Sequence, residues 1–558
     1  MEKPVEVETV PVHENLGGIY HDIEVRGESE RWTSLYKGFE DVFELSPDFI
    51  SRSPGRVNII GEHIDYSLFP VLPMAIHADT LVAMKTERRG REGYFKIEIA
   101  NLEGEQFPKE SWEETSDSEI AIDEKTHAWT NYFRAGLRGS LKLLREKNGA
   151  DWRPRDMKVM VHGTVPPAGG LSSSAALVTA CALAILYGQG MKKVEKLELT
   201  RLAIESERAV GVNSGGMDQS ASVMSQKDAA LYVQFTPKLS VRHVEFPKMD
   251  PSLVFVIAQS FVKADKKVSG PFHYNLRVVE CTLAALMLLQ QLSPEAEGKL
   301  PHPLPQDDSP LNISLGTVFN IFWDTADDYT RTKFPDATKV DDSMLQRLDY
   351  FANRFVDEVL PSETYSKKEI AQSLGVSEEY LDHNFIKKRF PVPAETFRLR
   401  DRAKHVFSEA ARVYKFMDLL ESGPKRPETD LEFAKRLGDL LNQSQQSCIN
   451  KFDCSARELD RICLYARVAG SLGSRLTGAG WGGATVHLVP ASKVNSVRAA
   501  LREQYYKDMS INGERLTDKQ IEDAVIVSRP GSGSAIFSTS NKKDGYKAFG
   551  NEVGTWGE

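Results

Sequence analysis

Apolar and polar positions alternate most clearly at the start of Met157–Gly188. Met157, Val159 and Val161 alternate against Lys158 and His162, which predicts a strand. A Pro-Pro-Ala-Gly-Gly loop follows. Ser172, Ser173 and Ser174 then open a helix that runs through an apolar stretch to Tyr187 and stops at Gly188, a suitable residue just beyond a helix end. A glycine loop leading into a helix start offers backbone N–H groups and the positive end of the helix dipole, which suits phosphate. The same residues also fit an ordinary capped, buried helix. No Walker A pattern occurs in the chain. The apolar run Ala175–Tyr187 is far shorter than the ~20 residues that span a bilayer, and it reads as core.

A second alternating run begins at Ile50. Val57 and Ile59 fall on one strand face, Arg56 and Asn58 on the other, and Gly61 breaks the strand. Glu62, His63 and Asp65 then crowd a short loop between apolar segments. Charged groups placed this way must be solvated, paired or used. A metal site would lack a third ligand at suitable spacing. An ion-paired structural loop and a site for polyol hydroxyls both remain open, since carboxylates and imidazole accept and donate at fixed points.

Helical periodicity covers the stretch HAWTNYFRAGLRGSLKLL, where Trp129 is either core or a platform for a base. Leu199, Ala203 and Glu207 recur every four residues, so Glu207 shares an apolar helix face while Glu205 lies on a solvated one. A carboxylate on a buried face wants a cation, either an arginine or Mg²⁺. Asn213–Gly216 reads as a turn, and by position alone Asp218 reads as a helix cap. A strand (LVFVIAQS) and a long helix from Tyr274 follow. Residues 293–310 are Pro-rich and polar, and the pattern from Asp341 to Ser422 is helical. Within it Lys367–Leu381 mimics a helix-turn-helix, but Glu378, Glu379 and Asp382 on its second helix would repel phosphates, so it reads as packing. Gly478, Gly480 and Gly483 satisfy G-x-G-x-x-G but precede a strand, so the dinucleotide reading fails and close backbone approach to a ligand remains. No repeat runs along the chain.

Length changes the picture first: 558 residues call for two domains or more. A net charge of −9 argues against binding nucleic acid through an overall positive field. Five scattered cysteines without a C-x-x-C pair suggest reduced thiols in a cytoplasmic protein. The acidic N-terminal segment has no apolar core, so neither a signal peptide nor a membrane anchor is expected, and the sequon at Asn312 is not expected to be glycosylated.

These stretches together resemble the galactokinase family of the small-molecule kinase superfamily that also holds homoserine and mevalonate kinases. The resemblance rests on GRVNIIGEHIDY (Gly55–Tyr66), PPAGGLSSSAA (Pro166–Ala176) and TGAGWGG (Thr477–Gly483), in that order, with GGMDQ, YNLR, RAKHVFSEAARV and LNQSQQSCINKFDCSARELD between them. It covers most of the chain and is nearest to fungal members. Ala168 and Ala479 stand where the family has glycines. Each methyl could narrow the approach to a ligand, but neither removes a donor.

The resemblance implies an α+β, two-domain sugar-kinase fold. A ribosomal-S5-like mixed sheet with helices would span 1–250, and a ferredoxin-like domain 251–558 with a helical insertion at about 293–400. It implies transfer of the ATP γ-phosphoryl group to the 1-hydroxyl of D-galactose with Mg²⁺. By motif, Arg56, Glu62, His63, Asp65, Gly215, Asp218 and Tyr274 would hold the sugar, with Arg56 and Asp218 flanking the reacting hydroxyl. The amides of Gly169, Gly170, Leu171, Ser172, Ser173 and Ser174 would cradle phosphates. Trp129 would contact adenine, and Ser174 and Glu207 would hold the metal. A monomer is expected, with a regulatory protein partner as an option. Two alternatives stand beside this reading. One is a sugar- and ATP-binding transcriptional sensor that binds a repressor, although such relatives lack two residues of the serine run kept here. The other is an N-acetylgalactosamine kinase.

Overall fold

The computed structural model describes residues 8–88, 91–122, 128–149, 151–167, 169–209, 215–262, 272–292, 300–324, 328–388, 391–425, 427–511 and 513–539. Ala168 and the turn residues Asn213 and Ser214 lie outside them. The first part of the chain forms β1 (Val12–His13), α1 (Asp22–Phe43), β2 (Phe49–Ile60), β3 (Leu72–Glu87), β4 (Tyr94–Asn101), β5 (Glu110–Thr115), α2 (Thr130–Asn148), β6 (Asp156–Gly163), α3 (Ser173–Gly188), α4 (Lys196–Arg208), α5 (Met217–Met224), β7 (Ala229–Gln234) and β8 (Ser240–Glu245). The rest supplies β9 (Leu253–Gln259), α6 (Tyr274–Gln290), a group of short helices, and α7 (Leu399–Ser422). After these come α8 (Asp430–Ser447), α9 (Arg457–Val468), β10 (Gly473–Thr477), β11 (Ala484–Pro490), α10 (Val494–Leu501), β12 (Val525–Ser528) and β13 (Ala535–Ser538).

Seven strands form one mixed sheet in the order β1-β13-β2-β3-β6-β4-β5. The pairs β1–β13 and β4–β6 are parallel, and the other neighbours are antiparallel. Because β13 closes against β2, the end of the described chain is built into the sheet that its beginning founds. Helix α1 covers one face, where Trp32, Leu35 and Phe39 pack on Ile50, Leu81 and Phe537. The opposite face is filled by α3. That helix is apolar on all sides, which only a helix enclosed by core can be. It packs on β2, β3, α2, α4 and α5 at once, so truncating Leu183 or Ile185 to alanine would cost about 2–5 kcal/mol. Strand β2 is buried at every position, unlike a half-exposed alternating strand, because helices cover both faces of its sheet.

The second sheet is antiparallel, in the order β10-β11-β9-β12. With α9 before β10 and α10 after β11, its chain order is β-α-β-β-α-β, a ferredoxin-like unit. The α+β class is thus the observed one. Lys367–Leu374 and Glu378–Leu381 do form two helices about a left-handed Gly375, but Ile370, Ala371, Leu374 and Leu381 are buried in the core. The pattern therefore serves packing. All five cysteines are buried and unpaired. Among the described residues no helix is long and apolar enough to cross a membrane.

Candidate active site

Strand β2 delivers the first site residues. Its register against β3 shifts between Pro54 and Arg56 and again between Asn58 and Ile60, and such irregularities re-aim side chains at the end of a strand. Gly61, at φ 105°, turns the chain, and a Cβ there would lie 3.0 Å from Val413 and 3.1 Å from Val71. The turn carries Glu62, His63 and Asp65 inward, all buried. Arg56, Glu62, His63, Asp65, Asp218 and Tyr274, each named from the sequence, line one cavity together with Glu207. Met217, Gly478 and Ala479 complete its wall.

The charged groups of the cavity wall have fixed partners. Arg56 Nε donates to Asp218 Oδ1 at 2.7 Å, and its Nη1 donates to the Gly170 carbonyl at 2.8 Å. Burial alone would discharge Arg56, but Asp218, Glu62 and Asp65 hold it firmly cationic. Glu62 Oε2 accepts from Arg475 Nη2 at 2.8 Å and from the Gly478 amide at 3.1 Å. Burial pushes its carboxyl up to about 6, against the pull of Arg475 and Arg56. Asp65 also rises to about 6, from burial first and from the nearby Asp218 second. Burial lowers His63 to about 3, so its ring is neutral. Its Nε2–H then donates to the Ala479 carbonyl at 2.9 Å, leaving Nδ1 to accept from the Tyr66 hydroxyl at 3.1 Å. Tyr274 packs its ring on His63 at 5.4 Å.

Asp218 is not the cap of its helix. The cap position of α5 belongs to Gly216, and Asp218 sits inside the first turn, turned to Arg56. Gly215 has no room for a side chain, since a Cβ would lie 2.5 Å from Asp65 Oδ2 and from the Tyr66 amide. It shapes the wall behind Asp65.

The loop before α3, expected to cradle phosphates, is built from backbone. Ser172 is left-handed (φ 63°) and caps α3 without a side-chain bond, contrary to the expected hydroxyl cap. Its Oγ is buried and has no hydrogen-bond partner among the described residues. The Gly169 amide is spent on the Pro166 carbonyl at 3.1 Å. Gly170 (φ 73°) packs against the third motif, and a Cβ on Gly478 (φ 85°) would lie 2.4 Å from the Gly170 carbonyl. The glycines of two distant motifs thus need one another's bareness.

Ser174 Oγ donates to Glu207 Oε1 at 2.6 Å, and Glu207 Oε2 accepts from Gln219. A hydroxyl and a carboxylate at this spacing are a hard-oxygen donor pair of the kind Mg²⁺ prefers. Trp129 stands apart from the cavity, before α2, with its ring edge-on to Phe107 at 5.9 Å and its buried indole N–H without a hydrogen-bond partner among the described residues.

Sequence reading missed the residues that hold the sugar loop from behind. Glu409 on α7 accepts from the Gly61 amide at 3.0 Å, the Glu62 amide at 3.2 Å and Ser444 Oγ at 2.6 Å. His405 Nε2 meets the Glu62 carbonyl at 2.9 Å. A buried-face charge inside RAKHVFSEAARV was the available signal, since His405, Glu409 and Arg402 recur on the apolar face of α7. Arg475, in a short strand of small residues, gave none.

A mixed sheet and a ferredoxin-like unit that meet where two glycine loops touch define a small-molecule kinase of the GHMP class. Three family profiles agree: the galactokinase galactose-binding signature over residues 37–86, the GHMP kinases N terminal domain over 131–226 and the GHMP kinases C terminal over 427–507. The chain is 37% identical to a galactokinase of Saccharomyces cerevisiae, over 91% of this chain and 95% of that one. It is 36% identical to one of Schizosaccharomyces pombe, over 93% and 98%. The chain belongs to the galactokinase family. Its fold is also that of a Lactococcus lactis galactokinase solved with galactose, at a TM-score of 0.59 and 22% identity, covering 90% of this chain and 99% of that one.

Proposed function

We propose that this protein phosphorylates D-galactose at its 1-hydroxyl with ATP, yielding galactose 1-phosphate and ADP in galactose catabolism. The observation that carries the reading is the Arg56–Asp218 ion pair, at 2.7 Å on the cavity wall, with Arg56 also bonded to the phosphate-loop carbonyl of Gly170. One guanidinium thereby spans the sugar side and the phosphate side.

Phosphoryl transfer asks for in-line positioning and charge neutralisation more than for covalent help. Asp218 orients the sugar hydroxyl and accepts its proton as the new O–P bond forms. Arg56 fixes Asp218 and offsets the charge on the transferring group. Glu62, His63, Asp65 and Tyr274 bind the remaining hydroxyls, and Gly215 shapes the wall behind Asp65. The amides from Gly170 to Ser174 meet the phosphates, and Trp129 meets the adenine. Ser174 and Glu207 fit Mg²⁺, which when bound neutralises phosphate oxygens. We take the enzyme to act as a cytoplasmic monomer.

A coupled ADP-release assay across a sugar panel tests the reading. Galactose should be turned over and glucose poorly, because a site built around one axial hydroxyl leaves polar groups unpaired with its epimer. Turnover only of N-acetylgalactosamine, or sugar- and ATP-dependent binding of a repressor without turnover, would replace it with one of the two alternatives.

A further inference from the structure

Glu62 is the most enclosed carboxylate of the sugar loop, and the donors to its Oε2, Arg475 and the Gly478 amide, come from the other half of the chain. Arg475, on β10, is fully buried at 0% exposure. Its Nη2 donates to Glu62 Oε2 at 2.8 Å, while its Nη1 donates to the carbonyls of Asn58 at 2.9 Å and Ile59 at 3.2 Å. One planar fork thus ties the carboxylate to the end of the strand that carries it, which a point-like ammonium cannot do as well. The Gly478 amide fills the remaining approach to Oε2. Behind the loop, Glu409 takes the Gly61 and Glu62 amides and His405 meets the Glu62 carbonyl.

We propose that Arg475 is a positioning residue for sugar recognition, aiming the Glu62 carboxylate at a sugar hydroxyl and keeping it ionised at neutral pH. The proposal rests on the sugar-binding reading of Glu62. The groups facing Glu62 are Arg56 from β2, Arg475 from β10, His405 and Glu409 from α7, Tyr274 from α6 and Cys454 from the turn after α8. Only the two arginines among them are cations at neutral pH, since burial holds His405 at about 4. Arg56 donates to Asp218 and the Gly170 carbonyl and acts on Glu62 by its charge, whereas Arg475 is the cation hydrogen-bonded to it. Removing it raises the carboxyl further from its burial-shifted position near 6. Glu62 would then be largely protonated at pH 7, and a protonated carboxyl loses acceptor capacity toward the sugar.

The test is steady-state kinetics of the full chain from pH 6 to 9 for Arg475→Gln, Arg475→Lys, Glu62→Gln and the double variant Glu62→Gln/Arg475→Gln. For Arg475→Gln at pH 7 the galactose KM should rise about 100-fold, as expected for removing one partner of a buried charge pair. The ATP KM should stay within about 2-fold, and the galactose deficit should shrink as pH rises, because alkali restores the charge on Glu62. Arg475→Lys should recover part of the loss. In the Glu62→Gln background, Arg475→Gln should add no pH-dependent deficit. If Arg475→Gln does not fold, the double variant carries the test, since it removes the unpaired buried charge: its galactose KM should match that of Glu62→Gln alone, and a further loss overturns the proposal. A deficit that ignores pH, equal losses toward both substrates, or a wild-type galactose KM also overturns it. Failure of the wild-type chain to phosphorylate galactose would instead strike the functional reading beneath it.

Discussion

The two ends of the cavity are built in opposite ways. At the end proposed for the sugar stand buried charged side chains, each locked by another residue: Glu62 by Arg475, His63 by the Ala479 carbonyl, Asp218 by Arg56. The end proposed for the phosphates is backbone, where Gly170 and Gly478 touch and Ser172 leaves its hydroxyl out of the cap. The sugar end therefore holds electrostatic cost, with Glu62 and Asp65 raised to about 6 by burial. The phosphate end holds steric constraint. Side-chain charge should respond to pH and isosteric change, and backbone geometry to a single methyl.

The largest expected effect is at the junction. Asp218→Asn keeps the shape and removes the proton acceptor, so kcat should fall by at least about 10³-fold, while calorimetry still detects galactose binding. Near-normal turnover would return Asp218 to a structural role. Next comes the steric end. Gly478→Ala places a Cβ 2.4 Å from the Gly170 carbonyl at a φ of 85°. We expect kcat/KM for ATP to drop on the order of 10²-fold, since a small misplacement of a positioning loop costs that much. Galactose protection against thermal unfolding should weaken too, though less, because the Gly478 amide also holds Glu62 Oε2.

The metal pair should give a smaller, selective effect. Glu207→Gln should raise the Mg²⁺ needed for half-maximal rate by about 10-fold, as loss of a charged ligand does, with galactose affinity unchanged. Normal metal dependence would make the Ser174–Glu207 contact purely structural. The electrostatic end is probed by pH. Galactose affinity should weaken as pH falls through about 6, where Glu62 and Asp65 take up protons.

The smallest effect is on stability, and it has the opposite sign. Asp65 ionises near 3.8 when free in water and at about 6 when folded. Its protonated form thus favours the fold below the lower value, and that contribution is lost as pH rises through the upper one. Asp65→Asn should therefore stabilise the sugar-free protein at pH 7 by about 1–3 kcal/mol, with the gain fading toward pH 4, while sugar binding is lost. A variant that melts earlier at pH 7 would show that Asp65 is held by its bonds to the Tyr66 and Met217 amides more than it is strained by burial.

Local chemistry was enough to nominate part of the site, while Arg56, Gly215 and Tyr274 were named only through the family resemblance. Charges between apolar runs marked Glu62, His63 and Asp65, a four-residue period put Glu207 on the buried face, and glycines marked both loops. These signals are legible because each compares a residue only with its near neighbours in the chain. Whether Asp218 caps a helix or pairs with Arg56 was undecidable locally, since an Asp at a helix start fits both. The helix-turn-helix pattern was equally ambiguous, because burial of Ile370 and Leu381 depends on what packs over them.

The sequence by itself determined the strand and helix around the serine run and the kinds of side chain available for recognition, since periodicity and turn chemistry act over a few residues; the α+β class was legible only through the resemblance of its motifs to a family. Only the tertiary structure decided that β13 completes the first sheet, that Gly478 leans on Gly170, and that Arg475 holds a carboxylate 413 positions earlier in the chain. Those contacts form because burying Glu62 demands a cation wherever the fold can supply one, and neither strand nor helix period carries information over such a separation.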